Sequence, residues 1–154
     1  MMKIAILGAS IYNIAVYESL KANEYYTIAI DGDKNAPAAK IADKFIPIDF
    51  SNKELLLETC KREEIDAIMP INEWGVLPSA YVCDKMGLVG NSLKTANNAT
   101  DKGLMRTCWM DLKQGNPTFF VFETIKELEQ KIELVGYPCI IKPTFSGGGG
   151  RGIS

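Results

Sequence analysis

One lysine and five glycines fall between residues 142 and 152, and no other stretch of the chain is so suited to holding an anion. Residues 136–152 read G-Y-P-C-I-I-K-P-T-F-S-G-G-G-G-R-G. A short apolar strand delivers Lys142 beside four consecutive glycines, Gly147, Gly148, Gly149 and Gly150, with Gly152 just beyond. Glycine has no Cβ, so backbone amides in such a run approach an anion closely and reach positive φ. An ammonium on a strand beside that loop suits a polyphosphate. The order differs from the Walker pattern, in which the lysine follows the glycines. A glycine-rich tail can also be a flexible linker. A linker, however, is not led in by Y-P-C-I-I-K-P, which reads as a buried strand ending in a lysine.

The rest of the composition narrows the chemistry. The 154 residues contain no histidine, which removes Ser-His-Asp and Cys-His catalysis and the usual zinc sites. Lys, Arg, Asp, Glu, backbone donors and a borrowed metal remain. Seventeen basic and 19 acidic residues give a net charge of −2 without a long block of either sign, which argues against a nucleic-acid or membrane-surface protein. Phosphate binding must then be local. Cys60, Cys83, Cys108 and Cys139 are far apart, in apolar contexts and without a C-x-x-C, so they read as buried, reduced thiols of a cytoplasmic protein. Met1-Met2-Lys3 runs straight into an alternating strand rather than a leader.

Apolar periodicity places these residues on an α/β framework. Strands are expected at 3–7, 26–30, 44–48, 66–70 and, briefly, at Leu88-Val89. Helices are expected at 12–21, 37–42, 74–86 and from a capping box at Ser51-x-x-Glu54 through Glu63. The alternation argues a parallel sheet covered on both faces, a Rossmann-like domain over residues 1–91. Residues 92–154 read as a second, incomplete α+β unit. In it, a helix near 93–99 is followed by Thr100 as the N-cap of a helix at 101–113 that buries Leu104, Cys108 and Leu112. A strand at 118–122 leads to a capping box, Thr124-x-x-Glu127, and a helix with the apolar stripe Ile125, Leu128, Ile132 and Val135. A strand at 137–142 precedes the glycines, and a return strand begins at Gly152. Trp74, Trp109, Phe119 and Phe120 read as packing residues.

Gly8 at the end of the first strand and Asp31 at the end of the second invite a dinucleotide-binding reading. The turn Gly8-x-Ser10-x-x-Asn13 has only one of the three glycines that such a site requires. Asp31 and Asp33 read as turn residues. NAD binding and a non-catalytic α/β binding module stand as the alternatives.

Taken in order, the motifs resemble the front of the ATP-grasp superfamily, in particular its carboxylate–amine ligases and the synthetase subunit of carbamoyl-phosphate synthases. K-I-A-I-L-G-A-S and I-D-G-D-K-N-A-P-A-A-K-I-A-D-K-F-I-P-I-D match the pre-ATP-grasp domain. D-A-I-M-P-I-N-E-W resembles the strand and turn that present a glutamate to the ligand cleft. L-V-G-N-S-L-K-T-A-N-N-A-T-D-K-G-L-M-R resembles the crossing into the ATP-grasp domain, and G-Y-P-C-I-I-K-P its first nucleotide-binding strand.

The resemblance implies an ATP-dependent ligase that activates a carboxylate or bicarbonate as an acyl phosphate for attack by an amine. It assigns Lys102 and Lys142 to the nucleotide phosphates. Ser146, Gly147, Gly148, Gly149, Gly150 and Arg151 correspond to the lid loop, and Gly8, Ala9, Ser10 and Glu73 to the substrate side. A lysine sits poorly in the first turn of a helix unless an anion is bound there, which favours a functional Lys102. ATP and Mg²⁺ are the implied cofactors, with the metal ligands expected after Ser154. Residues 1–154 are therefore expected to be inactive alone, as a piece of a ligase or half of a split enzyme. The partners implied are ATP and a small carboxylate-bearing substrate, with a homodimer or the second half of a split enzyme, and neither nucleic acid nor membrane.

Overall fold

The structure, a computed structural model, describes residues 1–113 and 115–145. It forms two compact units, Met1–Ala96 and Asn97–Ser154.

Four parallel strands make the sheet of the first unit: β1 (Lys3–Leu7), β2 (Tyr26–Ile30), β3 (Lys44–Ile46) and β4 (Ala67–Pro70), in the order β3-β2-β1-β4. Ile4 pairs with Thr27 on one side and Ala67 on the other, and Leu7 with Ile30 and Pro70, so three strands end level. Both faces of the sheet are covered, as a parallel sheet requires. Ala5, Leu7, Ile28 and Ile30 pack with Leu56 and Cys60 of α2 (Lys53–Glu63) and Val82 and Cys83 of α3 (Val76–Met86). Ile4, Ile6 and Ala29 face the other way, against Tyr17 of α1 (Ile14–Ala22) and against Ala36 and Ala38, the N-cap and the buried residue of a 3₁₀ turn at Pro37–Lys40. The period-2 alternation of β1 therefore feeds two cores.

Three expectations for this unit are corrected. Leu88-Val89 is not a strand: Gly87 turns left-handed at φ +67° and the Leu88 amide donates back to the Cys83 carbonyl, closing α3 in a Schellman-type end. Val89 is 99% exposed. The N-cap of α2 is Asn52 rather than Ser51, since the Asn52 side chain accepts from the Leu55 amide while the Ser51 amide donates to Asp49. Finally, Trp74 is half exposed instead of packed.

The second unit holds α5 (Lys102–Asp111) and α6 (Ile125–Val135), preceded by α4 (Leu93–Thr100), within which the division between units falls. Thr100 ends α4, and Asp101 caps α5 by accepting from the Leu104 amide at 2.9 Å. Thr124 caps α6 as expected, accepting from the Glu127 amide at 3.2 Å, while the Glu127 carboxylate reaches back to the Glu123 amide. The expected strands at 118–122 and 137–142 do not form: among the described residues these segments carry no strand pairing, and Tyr137 and Pro138 lie in a bend.

The rotation of α5 also differs from the sequence expectation. Gly103 is its buried residue, and a Cβ there would lie 2.9 Å from Val121 Cγ2 and 3.7 Å from Thr144 Cγ2. Seating the helix on its glycine turns Leu104 and Leu112 outward and leaves Cys108 half-buried. Cys139 is likewise half-buried, and Trp109 lies partly exposed under the Arg106 guanidinium, 5.0 Å from the ring centre. Among the described residues no helix is long and apolar enough to cross a membrane.

Candidate functional site

The carboxyl ends of β1 and β4 carry the residues expected on the substrate side, at the edge where parallel α/β sheets bind ligands. Gly8 leaves β1 at φ +112°, and a Cβ there would lie 2.5 Å from Asn72 Nδ2. The turn after β1 is thus brought against the turn after β4, and only glycine fits between them. Asn72 holds the second turn. Its Oδ1 accepts from the Gly75 amide at 3.0 Å, capping the 3₁₀ turn Glu73–Gly75, and its Nδ2 donates to the Leu7 carbonyl at 3.4 Å. Glu73 opens that turn, half-buried.

Every amide of Gly8-Ala9-Ser10 already has a partner inside the unit. Gly8 N donates to the Ile30 carbonyl at 2.9 Å, Ala9 N to Asp31 Oδ2 at 2.7 Å, and Ser10 N to Asn13 Oδ1 at 3.1 Å. The Ser10 hydroxyl also donates to Asn13 Oδ1, at 2.6 Å. Tyr17 caps the arrangement from below, its buried hydroxyl donating to the Gly8 carbonyl at 2.7 Å. Burial, and secondarily the charge of Asp31, push the Tyr17 phenol well above its ordinary range, so it stays a donor. Gly8 and Ala9 are buried and Ser10 is exposed. Asp31 Oδ1 accepts from the Asp33 amide and Asp33 Oδ1 from the Asn35 amide, both at 2.9 Å, so both aspartates work as turn residues. A loop whose amides are all engaged is not the pyrophosphate cradle that the dinucleotide alternative needs.

The second unit brings Lys102 and Lys142 together on one cavity of about 500 Å³. The amide of Lys102, the first residue of α5, donates to the Thr144 carbonyl at 2.8 Å, tying the helix start to the Lys142-Pro143-Thr144 segment. Arg106, one turn further along α5, lines the same cavity. Its guanidinium donates to Asn116 Oδ1 at 2.9 Å, and Asn116 Nδ2 returns a bond to the Arg106 carbonyl at 2.9 Å. The walls include Phe119, Phe120 and Phe122, and among the described residues no carboxylate lines the cavity. Its volume lies in the range of small-molecule sites. Three cations facing apolar and aromatic walls are matched to a ligand with a flat ring and several negative charges.

Phe119 and Phe120 were expected only to pack, and neither Phe122 nor Arg106 was singled out. Its place four residues after Lys102 on a helix was the signal for it. A smaller cavity of about 90 Å³ shares Phe119, Phe120 and Phe122 and adds Ile132 and Val135, so these two members of the expected α6 stripe do pack inward. Ile125, the first of that stripe, is exposed. Ser146, Gly147, Gly148, Gly149, Gly150 and Arg151 lie outside the described residues, as does the return strand at Gly152. Among the described residues no group of three or more Cys, Asp or Glu side chains is placed to hold a metal ion.

Comparison with known proteins fits both units. Residues 4–79 match the family described as PylC-like, N-terminal domain. A formate-dependent phosphoribosylglycinamide formyltransferase of Methanococcus maripaludis is 29% identical over 152 residues, covering 96% of this chain and 38% of that protein. Its counterpart from Tolumonas auensis is 30% identical over 124 residues, covering 79% of this chain and 32% of that protein. The crystal structure of N5-carboxyaminoimidazole synthetase from Staphylococcus aureus complexed with ADP superposes with a TM-score of 0.85 at 19% identity, over 99% of this chain and 40% of that one, and shares the fold. The chain thus spans about 38% of the length of the first of these relatives. It belongs to the ATP-grasp superfamily. Within that superfamily its first unit is a pre-ATP-grasp domain of the PylC-like kind.

Proposed function

We propose that this chain is the front part of an ATP-dependent ligase that activates a carboxylate or bicarbonate as an acyl phosphate and passes it to an amine. The observation that carries the reading is the pair Lys102 and Lys142, which line one cavity that has no carboxylate among its described lining residues. ATP, when bound, supplies the phosphoryl group that makes the carboxylate reactive. The chain's own residues answer the charge problem of that transfer. Lys102 and Lys142 neutralise phosphate oxygens, Arg106 adds a third cation, and the phenylalanine walls exclude water and strengthen each charge contact. Ser146, Gly147, Gly148, Gly149, Gly150 and Arg151 are assigned to cover the phosphates.

On the acceptor side, Glu73 receives the amine, and Gly8, Ala9 and Ser10 shape the floor. The relatives support this chemistry, since the name of the formyltransferases pairs a small carboxylate, formate, with an amine-bearing acceptor. We assign Mg²⁺ to groups other than the described residues, which supply cations toward phosphate rather than metal ligands. We place the protein in the cytoplasm, with a homodimer or the second half of a split enzyme as its macromolecular partner.

Titration with a fluorescent ATP analogue tests the reading. Lys102→Ala and Lys142→Ala should each weaken binding roughly 10–100-fold, the scale of a hydrogen bond to a charged group, while Lys126→Ala on the exposed face of α6 leaves it unchanged. Equal affinity in all four proteins refutes the assignment.

A further inference from the structure

The carboxyl edge of the first unit has a chemical character of its own. Two turns meet there, 8–13 after β1 and 71–75 after β4, joined by the fit of Gly8 against Asn72. Residues 8–20 and 67–84, which include both turns, contain no lysine or arginine. The backbone donors of Gly8, Ala9 and Ser10 are consumed internally, and the Asn72 amide group is spent on Leu7 and Gly75. These stretches therefore offer a phosphate no cation, and the amides of Gly8, Ala9 and Ser10 are not open to one.

They offer something else. Tyr12 is 92% exposed, Ile11 61% and Trp74 50%, all on the short 3₁₀ turns that follow the two adjacent strands. Asp31 also reaches this edge, but its two oxygens are taken by the Ala9 and Asp33 amides, and the turn after β4 adds a second carboxylate, Glu73. Exposed large side chains on the same edge as the Glu73 carboxylate match an ammonium attached to an apolar or aromatic body, through a charged contact plus ring or cation–π packing.

We propose that the acceptor held at this edge is an amine with an uncharged apolar or aromatic body, its ammonium on Glu73 and its body on Tyr12 and Trp74, and that these two turns recognise no phosphate. The inference rests on the ligase reading for the amine's role. It departs from the phosphoribosyl acceptor named in the relatives, and makes Tyr12 and Trp74 determinants of specificity.

The test is an NMR titration of the ¹⁵N-labelled full chain, whose two tryptophans give two indole signals. The probes are L-phenylalaninamide and O-phospho-L-serinamide, which share the amine and differ in the body. Phenylalaninamide should shift the Trp74 indole and the amides of Tyr12 and Glu73 saturably. Glu73→Gln, Trp74→Ala and Tyr12→Ala should each weaken that binding at least roughly tenfold. O-Phospho-L-serinamide should give no saturable shift at these residues. Tighter binding of the phosphorylated probe there, or unchanged affinity in Glu73→Gln and Tyr12→Ala, overturns the proposal. The fluorescent nucleotide titration is read in parallel. Nucleotide binding kept with acceptor shifts lost refutes this inference alone, and the reverse refutes the ligase reading alone.

Discussion

The amide of Lys102 donates a 2.8 Å hydrogen bond to the carbonyl of Thr144, two residues beyond Lys142. This bond joins two lysines 40 positions apart in sequence, Lys102 and Lys142, through the backbone, so the spacing of their ammonium groups is set by the fold of the second unit and not by flexible side chains alone. A lysine at the first position of a helix is unfavourable beside the positive end of the helix dipole, and a bound anion reverses that sign.

If both lysines meet one triphosphate, their effects on nucleotide affinity should not add. A double-mutant cycle with Lys102→Ala and Lys142→Ala is expected to give a coupling of about 0.5–3 kcal/mol, read from four dissociation constants. Strict additivity would mean the two side chains serve different ligands.

Two glycines with positive φ should respond differently to the same substitution. Gly87→Ala meets no atom within 4 Å and carries only the left-handed backbone cost, about 1–2 kcal/mol. Gly8→Ala adds a Cβ 2.5 Å from Asn72 Nδ2 to that kind of strain and should cost about 2–4 kcal/mol. Urea unfolding curves compare the two, and equal losses would mean that the Asn72 turn yields freely.

Asp43 gives the first unit an acid-sensitive tie. Its Oδ2 accepts from both the amide and the hydroxyl of Thr27 at 2.8 Å, and Lys21 lies 3.3 Å from Oδ1. Burial pushes the carboxyl up, but the Thr27 bonds and Lys21 outweigh it and hold it below the usual carboxylate range. The folded value lies below the unfolded one of about 3.9, so the stabilisation is fully present above that pH and fades as pH falls through the folded value. Asp43→Ala should destabilise by about 1–3 kcal/mol at pH 7, because it strands donors of the fully buried Thr27. The gap from wild type should narrow in melts run below pH 4, and a constant gap would assign Asp43 a purely steric role.

The thiols should separate by reactivity. Burial, then the neighbouring Cys83 and Glu63, push the Cys60 thiol up to about 12, leaving roughly one part in 10⁴ as thiolate at pH 8. Cys83 is raised by burial as well. Iodoacetamide on the native chain, followed by peptide mass spectrometry, should modify Cys108 and Cys139 first. Early labelling of Cys60 would show that the contact between α2 and the sheet opens readily.

The sheet was legible in the sequence because β1, β2 and β4 are short apolar runs stopped by glycine, aspartate or asparagine, and a strand buried on both faces can be written in few other ways. Helix ends were less legible. Ser51 and Asn52 are both good caps, and the choice fell to Asn52 once Asp49 had taken the Ser51 amide. Thr100 and Asp101 posed the same ambiguity, resolved when Thr100 Oγ1 turned back to the Asn97 carbonyl. Leu88 looked like a strand residue, but its amide belongs to the end of α3. In the second unit Lys142 stood out as a cation beside a glycine run, and Lys102 as a lysine in the first turn of a helix, matched by the family resemblance. The apolar walls did not, since Phe119 and Phe120 have the same composition whether they fill a core or face a ligand.

Tethering Gly8, Ala9 and Ser10 to Ile30, Asp31 and Asn13 divides labour at the edge of the sheet. The tethered part is scaffold, whereas Ile11 and Tyr12 stand largely exposed beyond it and Trp74 half exposed. Exchanging those three side chains should therefore retarget the molecule at small expense to its folding, a convenient handle for anyone wishing to redirect its choice of partner molecule.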